Sequence, residues 1–179
     1  IVLDPVGAGA TTFRIDSLRT LLKNVSFTVI RGNASEILTL CGIRGGKGVD
    51  ATSDLEEEQF EAIRQLANDL KTTIAVSGPV DYITDGSKEA RVFNGTPLLT
   101  KITGTGCMTT ALIGCCLGAE IPPFESAVTA LTAMGIVGEW AERTTVGAIG
   151  QFHQHLFDGF GRMNSQWLEN EGKVHVPSA

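Results

Sequence analysis

The segment Thr103-Gly104-Thr105-Gly106-Cys107 has the residue types of an anion-binding turn. Its two glycines allow backbone N–H groups to approach a ligand closely, and the helix predicted to begin here directs the positive end of its dipole to the same place. A Gly-x-Gly pair alone is a weak indication, because many helices begin after glycine. The flanking threonines and the thiol in the first helical turn strengthen it. Together they predict an anion hole suited to a phosphoryl group in transfer.

Cys107 is the candidate catalytic residue of this segment. Its position in the first turn of the helix leaves three roles open: a base, a polar contact to the hydroxyl group of a substrate, or a small buried residue without chemistry. Cys115 and Cys116 fall deeper in the same apolar helix, and we expect both to be core residues. The cysteines have no metal-ligand spacing, which predicts reduced thiols in a cytosolic protein.

Polar residues end three of the predicted strands. Asp4, Arg31 and Ser77 each follow an apolar run and each precede glycine or proline. In an open α/β sheet the ligand crevice lies beyond the carboxyl ends of the strands, so these three side chains are candidates for one site. Any one of them alone would be an ordinary strand-end residue, and their coincidence favours a site.

Asn33 and Glu36 place an amide and a carboxylate within one turn of a short predicted helix. Together with Asp4 they could hold Mg²⁺ through water, because this ion keeps much of its hydration shell in kinase sites. The alternative is a capped surface helix, which the spacing alone favours.

Two other patterns do not predict sites. Gly45-Gly46-Lys47-Gly48 suggests a P-loop, but the first required glycine is replaced by Cys41 and no Ser or Thr follows Lys47. His153 and His155 are two residues apart on a predicted helix, so they cannot share a face as metal ligands.

Composition limits the classes of protein that this chain can represent. It has 179 residues, a net charge of −6 and 42% hydrophobic residues, which is typical of a globular protein and argues against a nucleic-acid surface. No apolar stretch is long enough to span a membrane and no signal peptide opens the chain. Because the sequence starts with the apolar run Ile1–Asp4 and no initiator Met, we expect an N-terminal segment to be missing, cleaved or absent from this numbering.

Strands and helices alternate along the sequence. Strands are predicted at 1–4, 27–31 and 73–77, and 80–93 suggests a hairpin at a sheet edge because it contains Asp85-Gly86. Helices are predicted at 13–23, after 32–36 to about 40, around 60–70, from 103–107 through 117, at 123–143 and at 147–168, with His175 in a frayed tail. Residues 42–54 form a glycine-rich loop, and Ser53 and Glu56 have capping-box spacing for the following helix. The alternation predicts one α/β domain with a parallel sheet and helices on both faces.

Four stretches, taken in order, resemble the hydroxyethylthiazole kinase family of the ribokinase-like superfamily. They are Leu3-Asp4-Pro5-Val6-Gly7-Ala8-Gly9-Ala10-Thr11, Ile30-Arg31-Gly32-Asn33-Ala34-Ser35-Glu36, Ser77-Gly78-Pro79-Val80-Asp81 and Ile102-Thr103-Gly104-Thr105-Gly106-Cys107. The resemblance implies a three-layer αβα fold with a mostly parallel central sheet. It also implies that residues 1–179 form a single kinase domain, the C-terminal two-thirds of the family fold, without the N-terminal portion that supplies substrate contacts and further strands.

The resemblance also implies a role for each matched position. Arg31 and Ser77 would contact the phosphates of ATP, with Asn33, Thr103, Thr105 and Gly106 as further ATP-binding residues. Glu36 would organise Mg²⁺ and its waters with Asp4 nearby, and Gly104 would lie against the thiazole substrate. Many ribokinase-like kinases have an aspartate base at the position of Cys107, and the thiazole kinases characteristically have cysteine. The substrate implied is the primary alcohol of 5-(2-hydroxyethyl)-4-methylthiazole, phosphorylated in thiamin salvage by a cytoplasmic homotrimer with active sites between subunits.

Two rival functions remain open on the sequence. One is an ADP- or ATP-dependent nicotinamide-nucleotide-hydrate dehydratase of the same superfamily, which an aspartate in place of Cys107 would favour. The other is a nucleotide-binding regulator without catalysis, which only the missing aspartate supports.

Overall fold

The computed structural model of the chain describes residues 1–43 and 55–177. Within them the chain forms a six-stranded sheet, seven α-helices and a 3₁₀ helix. The strands are β1 (Val2–Leu3), β2 (Val29–Asn33), β3 (Thr73–Ser77), β4 (Asp81–Thr84), β5 (Glu89–Val92) and β6 (Val174–His175). The helices are α1 (Thr12–Asn24), α2 (Ala34–Leu40), α3 (Glu57–Leu70), the 3₁₀ helix (Pro97–Lys101), α4 (Thr105–Gly118), α5 (Pro123–Thr145), α6 (Ile149–Arg162) and α7 (Ser165–Glu171).

The sheet is mixed, and its strands lie in chain order from β1 to β6. β1, β2 and β3 pair in parallel, whereas β4, β5 and β6 each run antiparallel to the strand before. Consequently β1, β2, β3 and β5 all point the same way, so most of the described strands share one direction. Their carboxyl ends lie at one edge of the sheet, and β4 begins at that edge. This edge carries the candidate site.

Successive residues of the central strands face two different helix layers, as the period of two in a strand requires. Ile30 and Ile74 belong to a buried cluster that includes residues of α2 and α3. Their neighbours Val29 and Ala75 belong to a second cluster, with residues of α4 and α5. Both faces of the sheet are therefore covered, as a parallel sheet generally requires. The three-layer αβα architecture predicted from the sequence is confirmed.

The structure corrects several predicted element boundaries. β2 begins two residues later than predicted, at Val29, where pairing with β1 and β3 starts, and it ends two residues later, at Asn33, so Arg31 lies within the strand rather than at its end. The hairpin of β4 and β5 is present, but β6 pairs with β5, so the hairpin is not at the sheet edge and His175 is in a strand rather than a frayed tail. The helix predicted at 147–168 is two helices. Asn164 ends the continuity because its side chain accepts a hydrogen bond from the Trp167 amide and caps α7.

The start of α3 also differs from the prediction. Glu56 is the N-cap residue and forms a capping box with Gln59, whose Oε1 accepts a hydrogen bond from the Glu56 amide at 3.0 Å. Ser53, most of the predicted 42–54 loop and the Gly45–Gly48 pattern lie outside the described residues. In the described part of the chain, no helix has both the length and the apolar character needed to cross a bilayer.

Candidate active site

A cavity of about 470 Å³ opens at the carboxyl edge of the sheet. This volume is in the range of small-molecule sites. Its walls come from the ends of β2 and β3, the start of β4, the segment after β5, the first turns of α4 and the middle of α5. Five predicted site residues line it: Arg31, Asn33, Ser77, Thr105 and Gly106.

Arg31, on β2, contacts residues at the ends of β1 and β3. Its Nη2 donates a hydrogen bond to Ser77 Oγ at 2.7 Å, and its Nη1 lies 3.7 Å from Asp4 Oδ2. Only 12% of the Arg31 side chain and 15% of the Asp4 side chain are exposed. The structure therefore brings together Asp4, Arg31 and Ser77, as predicted, although only Asp4 and Ser77 stand at strand ends and Arg31 reaches them from within β2.

The Arg31 guanidinium is held at this place at a cost. Its Nε is buried and has no hydrogen-bond partner among the described residues. An unpaired buried donor of this kind destabilises a fold by roughly 1–3 kcal/mol, and by more when it is charged. Gly106 on α4 packs against the same group, since a Cβ atom built on it would lie 2.6 Å from Arg31 Nη1. A cation that is held in a cavity wall although its position there destabilises the fold is typical of ligand binding rather than of a structural ion pair.

The N-terminus of α4 supplies the amide groups predicted for an anion hole. Gly104 is the N-cap residue, with φ of +100°, a conformation that favours glycine. The first amides of a helix have no carbonyl partner within it, so those of Thr105 to Cys107 are available to a ligand. The hydroxyl of Thr105, by contrast, donates to the carbonyls of Leu99 and Ile102 at 3.1 and 3.3 Å. Thr105 can therefore serve a ligand through its backbone.

Helix α4 is also tied to β1. Thr110 Oγ1 lies 2.9 Å from Asp4 Oδ2 and 3.2 Å from the carbonyl of Gly106. Asp4 thus accepts a hydrogen bond from α4 and faces the Arg31 guanidinium at once. The contact fixes the helix N-terminus relative to the strand ends.

Asn33 and Glu36 form the capping box of α2. Asn33 Oδ1 accepts a hydrogen bond from the Glu36 amide, and Glu36 Oε2 accepts one from the Asn33 amide, both at 2.9 Å. Glu36 Oε1 also accepts from the amide of Gly7 at 2.9 Å. The capping alternative is therefore realised, although α2 buries Ala34, Ile37 and Leu38 and is not a surface helix.

The chemistry of these carboxylates fits a hydrated metal ion rather than a caged one. In the described part of the chain, no three His, Cys, Asp or Glu side chains are grouped to hold a metal. Glu36 and Asp4 each already accept hydrogen bonds, but a carboxylate has about four acceptor sites. Mg²⁺ commonly binds through one or two carboxylates, waters and substrate phosphates, so the two residues fit that mode.

Asp81 is a cavity residue to which the sequence assigned no role. It begins β4, is 9% exposed, and its Oδ1 accepts a hydrogen bond from the Gly78 amide at 2.9 Å. Burial raises the pKa of Asp81 to about 7, although the Gly78 amide and the Arg31 charge oppose the shift. Asp81 is therefore a second carboxyl group near Arg31, after Asp4, and its charge depends on pH near neutrality.

Five predicted site residues are not among those that line the cavity: Asp4, Glu36, Thr103, Gly104 and Cys107. Cys107 is exposed, which rules out the role of a small buried residue. Thr103 and Gly104 precede α4 and are not among the residues that line the cavity. Cys115 is also exposed, so the prediction that it is a core residue is wrong. Cys116 is half-buried and packs against the cluster that α4 and α5 form with the sheet, so it lies at the margin of the core rather than within it.

The histidines play no part in the cavity. His155 stacks on Trp140 at 5.5 Å between ring centroids, and its Nδ1 lies 2.9 Å from Thr144 Oγ1. His153 is exposed and contacts Phe157. The two rings point to different neighbours, as their spacing predicted.

Several cavity residues were missed by the sequence argument. The segment Asn94–Pro97 and, on α5, Leu131, Met134 and Gly135 form one wall. Asn94-Gly95 and Thr96-Pro97 are residue types that commonly end a strand, and they could have indicated the first group. The α5 residues carry no comparable mark, because small and apolar residues are common in any buried helix.

The fold is that of the ribokinase-like small-molecule kinases. A pyridoxal kinase structure from Staphylococcus aureus, in complex with pyridoxal, superposes with a TM-score of 0.66 over 99% of this chain and 61% of that one, at 17% identity. The similarity in fold thus extends to a structure of low sequence identity.

Residues 1–166 match the model of the hydroxyethylthiazole kinase family, and the chain belongs to that family. Hydroxyethylthiazole kinases from Exiguobacterium sibiricum and Alkaliphilus metalliredigens are 44% and 41% identical to it over 94% and 98% of its length. The structure of a hydroxyethylthiazole kinase protein from Pyrococcus horikoshii superposes over 99% of the chain with a TM-score of 0.85, at 37% identity. The chain spans about 65% of the length of each of these three relatives.

Proposed function

We propose that the protein transfers the γ-phosphoryl group of ATP to the primary alcohol of 5-(2-hydroxyethyl)-4-methylthiazole. The observation that carries the proposal is the approach of the α4 N-terminus to the Arg31 guanidinium, with Gly106 between them. Free helix amides and a fixed cation meet at the strand ends, where a polyanion would be stabilised from two sides. Membership of the hydroxyethylthiazole kinase family supports the choice of substrate.

The phosphates of ATP would lie between Arg31 and the first turn of α4. Arg31 presents planar donors that match phosphate oxygens, and Ser77 Oγ, which accepts from Arg31, keeps the guanidinium oriented. Asn33, Thr105 and Gly106 complete the wall on this side. Thr103 and Gly104 precede the helix, and Gly104 would lie against the thiazole ring at the mouth of the hole.

Glu36 and Asp4 would hold Mg²⁺ through its waters. When bound, the ion would supply positive charge that screens the phosphates. Asp4 is oriented for this by Thr110 and Arg31, and Glu36 by the amides of Gly7 and Asn33. Carboxylates that are already fixed do not need to be ordered when a ligand binds.

In the reaction the substrate hydroxyl oxygen forms a bond to the γ-phosphorus while the bond to the bridging oxygen breaks, and ADP leaves. The hydroxyl proton passes to a base, for which Cys107 and solvent are the candidates. Because the transition state is loose, positioning and charge stabilisation by Arg31 and the α4 amides contribute more than the base. A thiol in place of an aspartate is compatible with this chemistry. The exposure of Cys107 leaves it open to a substrate that arrives from outside the chain.

The test is an ATP-consumption assay on the full-length protein with 5-(2-hydroxyethyl)-4-methylthiazole, with and without Mg²⁺, and with the phosphorylated product identified by mass spectrometry. Phosphorylation of the alcohol that depends on Mg²⁺ supports the proposal. Hydrated nicotinamide nucleotide is the comparison substrate, and its dehydration without phosphorylation of the thiazole would overturn the proposal. ATP binding without turnover of any alcohol in a panel would identify a regulator.

The wider setting of the protein follows from the same family membership. We propose that residues 1–179 correspond to the C-terminal two-thirds of one kinase domain, that the enzyme is a cytoplasmic homotrimer, and that subunits share the active sites. The exposed Cys107 at the mouth of the anion hole supports a site that a neighbouring chain completes. Sedimentation analysis of the full-length protein tests the trimer.

A further inference from the structure

One wall of the cavity contacts both a side chain of α5 and the residues that precede the C-terminal strand β6. The wall is the segment Asn94–Pro97, which follows β5, and the side chain is that of Glu139. Glu139 Oε1 accepts a hydrogen bond from the Gly95 amide at 2.9 Å and lies 3.3 Å from Asn94 Nδ2. Glu139 is therefore the acceptor that fixes the start of this wall.

The same carboxylate also binds Lys173, the residue that precedes the C-terminal strand β6. Lys173 Nζ lies 3.0 Å from Oε1 and 2.9 Å from Oε2 of Glu139. Asn94 also contacts this part of the chain directly. Its Oδ1 accepts a hydrogen bond from the Lys173 amide at 2.6 Å, and its Nδ2 donates one to the carbonyl of Glu171 at 2.9 Å. Three distant parts of the chain thus meet at Asn94, which is 4% exposed.

Electrostatics and packing both favour the contact between the Asn94–Pro97 wall and α5. Burial disfavours the charged form of Glu139, yet the Gly95 amide, Lys173 and Asn94 together hold its pKa below the ordinary value. One turn earlier on α5, a Cβ atom on Gly135 would lie 2.5–2.6 Å from Asn94, mainly from its backbone. Close approach of the wall to α5 therefore requires glycine at this position, and Glu139 secures the segment that approaches.

We propose that Glu139 is a positioning residue for nucleotide binding, which acts by fixing the Asn94–Pro97 wall through the Gly95 amide. The inference rests on the proposed function, because it takes the cavity to be the ATP site. Glu139 itself is not among the residues that line the cavity, so its effect reaches the ligand through the wall. Nucleotide affinity, rather than the chemical step, should respond to its loss.

The experiment compares the wild-type protein with Glu139→Gln, which preserves size and removes the charge. Amide hydrogen exchange at Gly95, followed by NMR, should accelerate about tenfold or more in the variant, since its acceptor is weakened. The KM for ATP should rise about tenfold while kcat changes less than about twofold. Arg143→Met is the matched control, because it breaks an exposed ion pair with Glu171, also between α5 and the C-terminal part, and does not touch the wall.

The outcomes separate this inference from the proposed function. Unchanged exchange at Gly95, or faster exchange with the same KM for ATP, would overturn the positioning role. An equal loss in kcat and in ATP affinity, or the same changes in Arg143→Met, would mean a general structural effect and would also overturn it. A titration of the wild-type protein with ATP is done first. If the wild type binds no ATP, the proposed function itself is wrong, whatever the variants do.

Discussion

Asp4 and Thr110 are 106 positions apart in sequence and joined by a 2.9 Å hydrogen bond. The contact links the end of β1 to the second turn of α4, and Asp4 also faces Arg31. Strand ends and helix N-terminus are thereby held in one arrangement. The predictions below test what that arrangement does.

Replacing Arg31 by Lys should lower kcat/KM for ATP by roughly a hundredfold, the usual effect of losing one oriented donor to the transition state. Lysine keeps the charge but not the planar pair of donors that reaches Ser77 and the phosphates. Steady-state kinetics measure the change. Arg19→Lys is the control, since Arg19 makes only an exposed ion pair on α1. Equal activity of the two variants would remove Arg31 from the site.

Replacing Gly106 by Ala should reproduce much of the Arg31 defect without changing any charge. The added methyl group would stand 2.6 Å from Arg31 Nη1, so the guanidinium must move away from the helix. The KM for ATP should rise about tenfold or more. Gly114→Ala, on the same helix with open space at its Cβ, should leave the kinetics unchanged. If Gly106→Ala binds ATP as the wild type does, Arg31 and α4 do not act on the same group.

Replacing Glu36 by Gln separates the capping role from the metal role. One of the amides of Gly7 and Asn33 loses its acceptor, so the free energy of unfolding should fall by about 1–3 kcal/mol. Denaturant titration measures this loss. If Glu36 also helps to hold Mg²⁺, the variant should need a higher Mg²⁺ concentration for half-maximal activity than the wild type. Titration of Mg²⁺ at saturating ATP measures this. Full activity with an unchanged Mg²⁺ requirement would exclude Glu36 from the metal site. Glu58→Gln, in the exposed first turn of α3, is the control.

Asp81 should make the protein less stable as the pH rises from about 4 to 7. Its pKa rises from 3.8 to about 7 on folding, mainly through burial, so in this window the folded state holds a proton that the unfolded state releases. The contribution of Asp81 to the free energy of unfolding is fully present below about pH 4 and is lost by about pH 7. At about 1.4 kcal/mol per pKa unit, the loss is at most about 4 kcal/mol.

Asp81→Asn tests this window. Asparagine keeps an acceptor for the Gly78 amide and does not titrate. Free energies of unfolding measured by denaturant titration between pH 4 and 7 should therefore decline less with pH in the variant. The same slope in both proteins would show that Asp81 is charged throughout.

Replacing Cys107 by Ala should lower kcat/KM for the thiazole alcohol about tenfold and leave the KM for ATP unchanged. Cys107 is exposed in the first turn of α4, and its loss should change stability by less than about 0.5 kcal/mol. Cys115→Ala, also exposed on α4, is the control. An altered KM for ATP would instead place Cys107 at the nucleotide.

The sequence predicted those parts of the site that depend on strand ends. β3 was placed at its observed bounds, and Asp4, Arg31 and Ser77 converge because β1, β2 and β3 are parallel. Asp81 could not be placed in the same way. It begins β4 rather than ending a strand, and only the reversal of β4 brings its start to the same edge.

Contacts that depend on helix faces were less predictable. Glu139 appears as an ordinary acidic residue of an amphipathic helix until the Gly95 amide is found against it. Cys115 and Cys116 looked like core residues because α4 has no charged residue, yet the face that carries Cys115 is exposed. Apolar character gives a helix's total tendency to be buried, but not which side a neighbour covers.

The contacts that build the cavity also set the order in which a nascent chain can complete it. The hydrogen bond of Asp4 cannot form until Thr110 has been synthesised. That of Asn94 requires Lys173, which lies 79 positions later. During synthesis from the N-terminus, the Arg31 guanidinium emerges long before the α4 turn that packs on it. Pairings across such long separations form slowly. Ligand affinity should therefore be among the last properties that the growing polypeptide acquires.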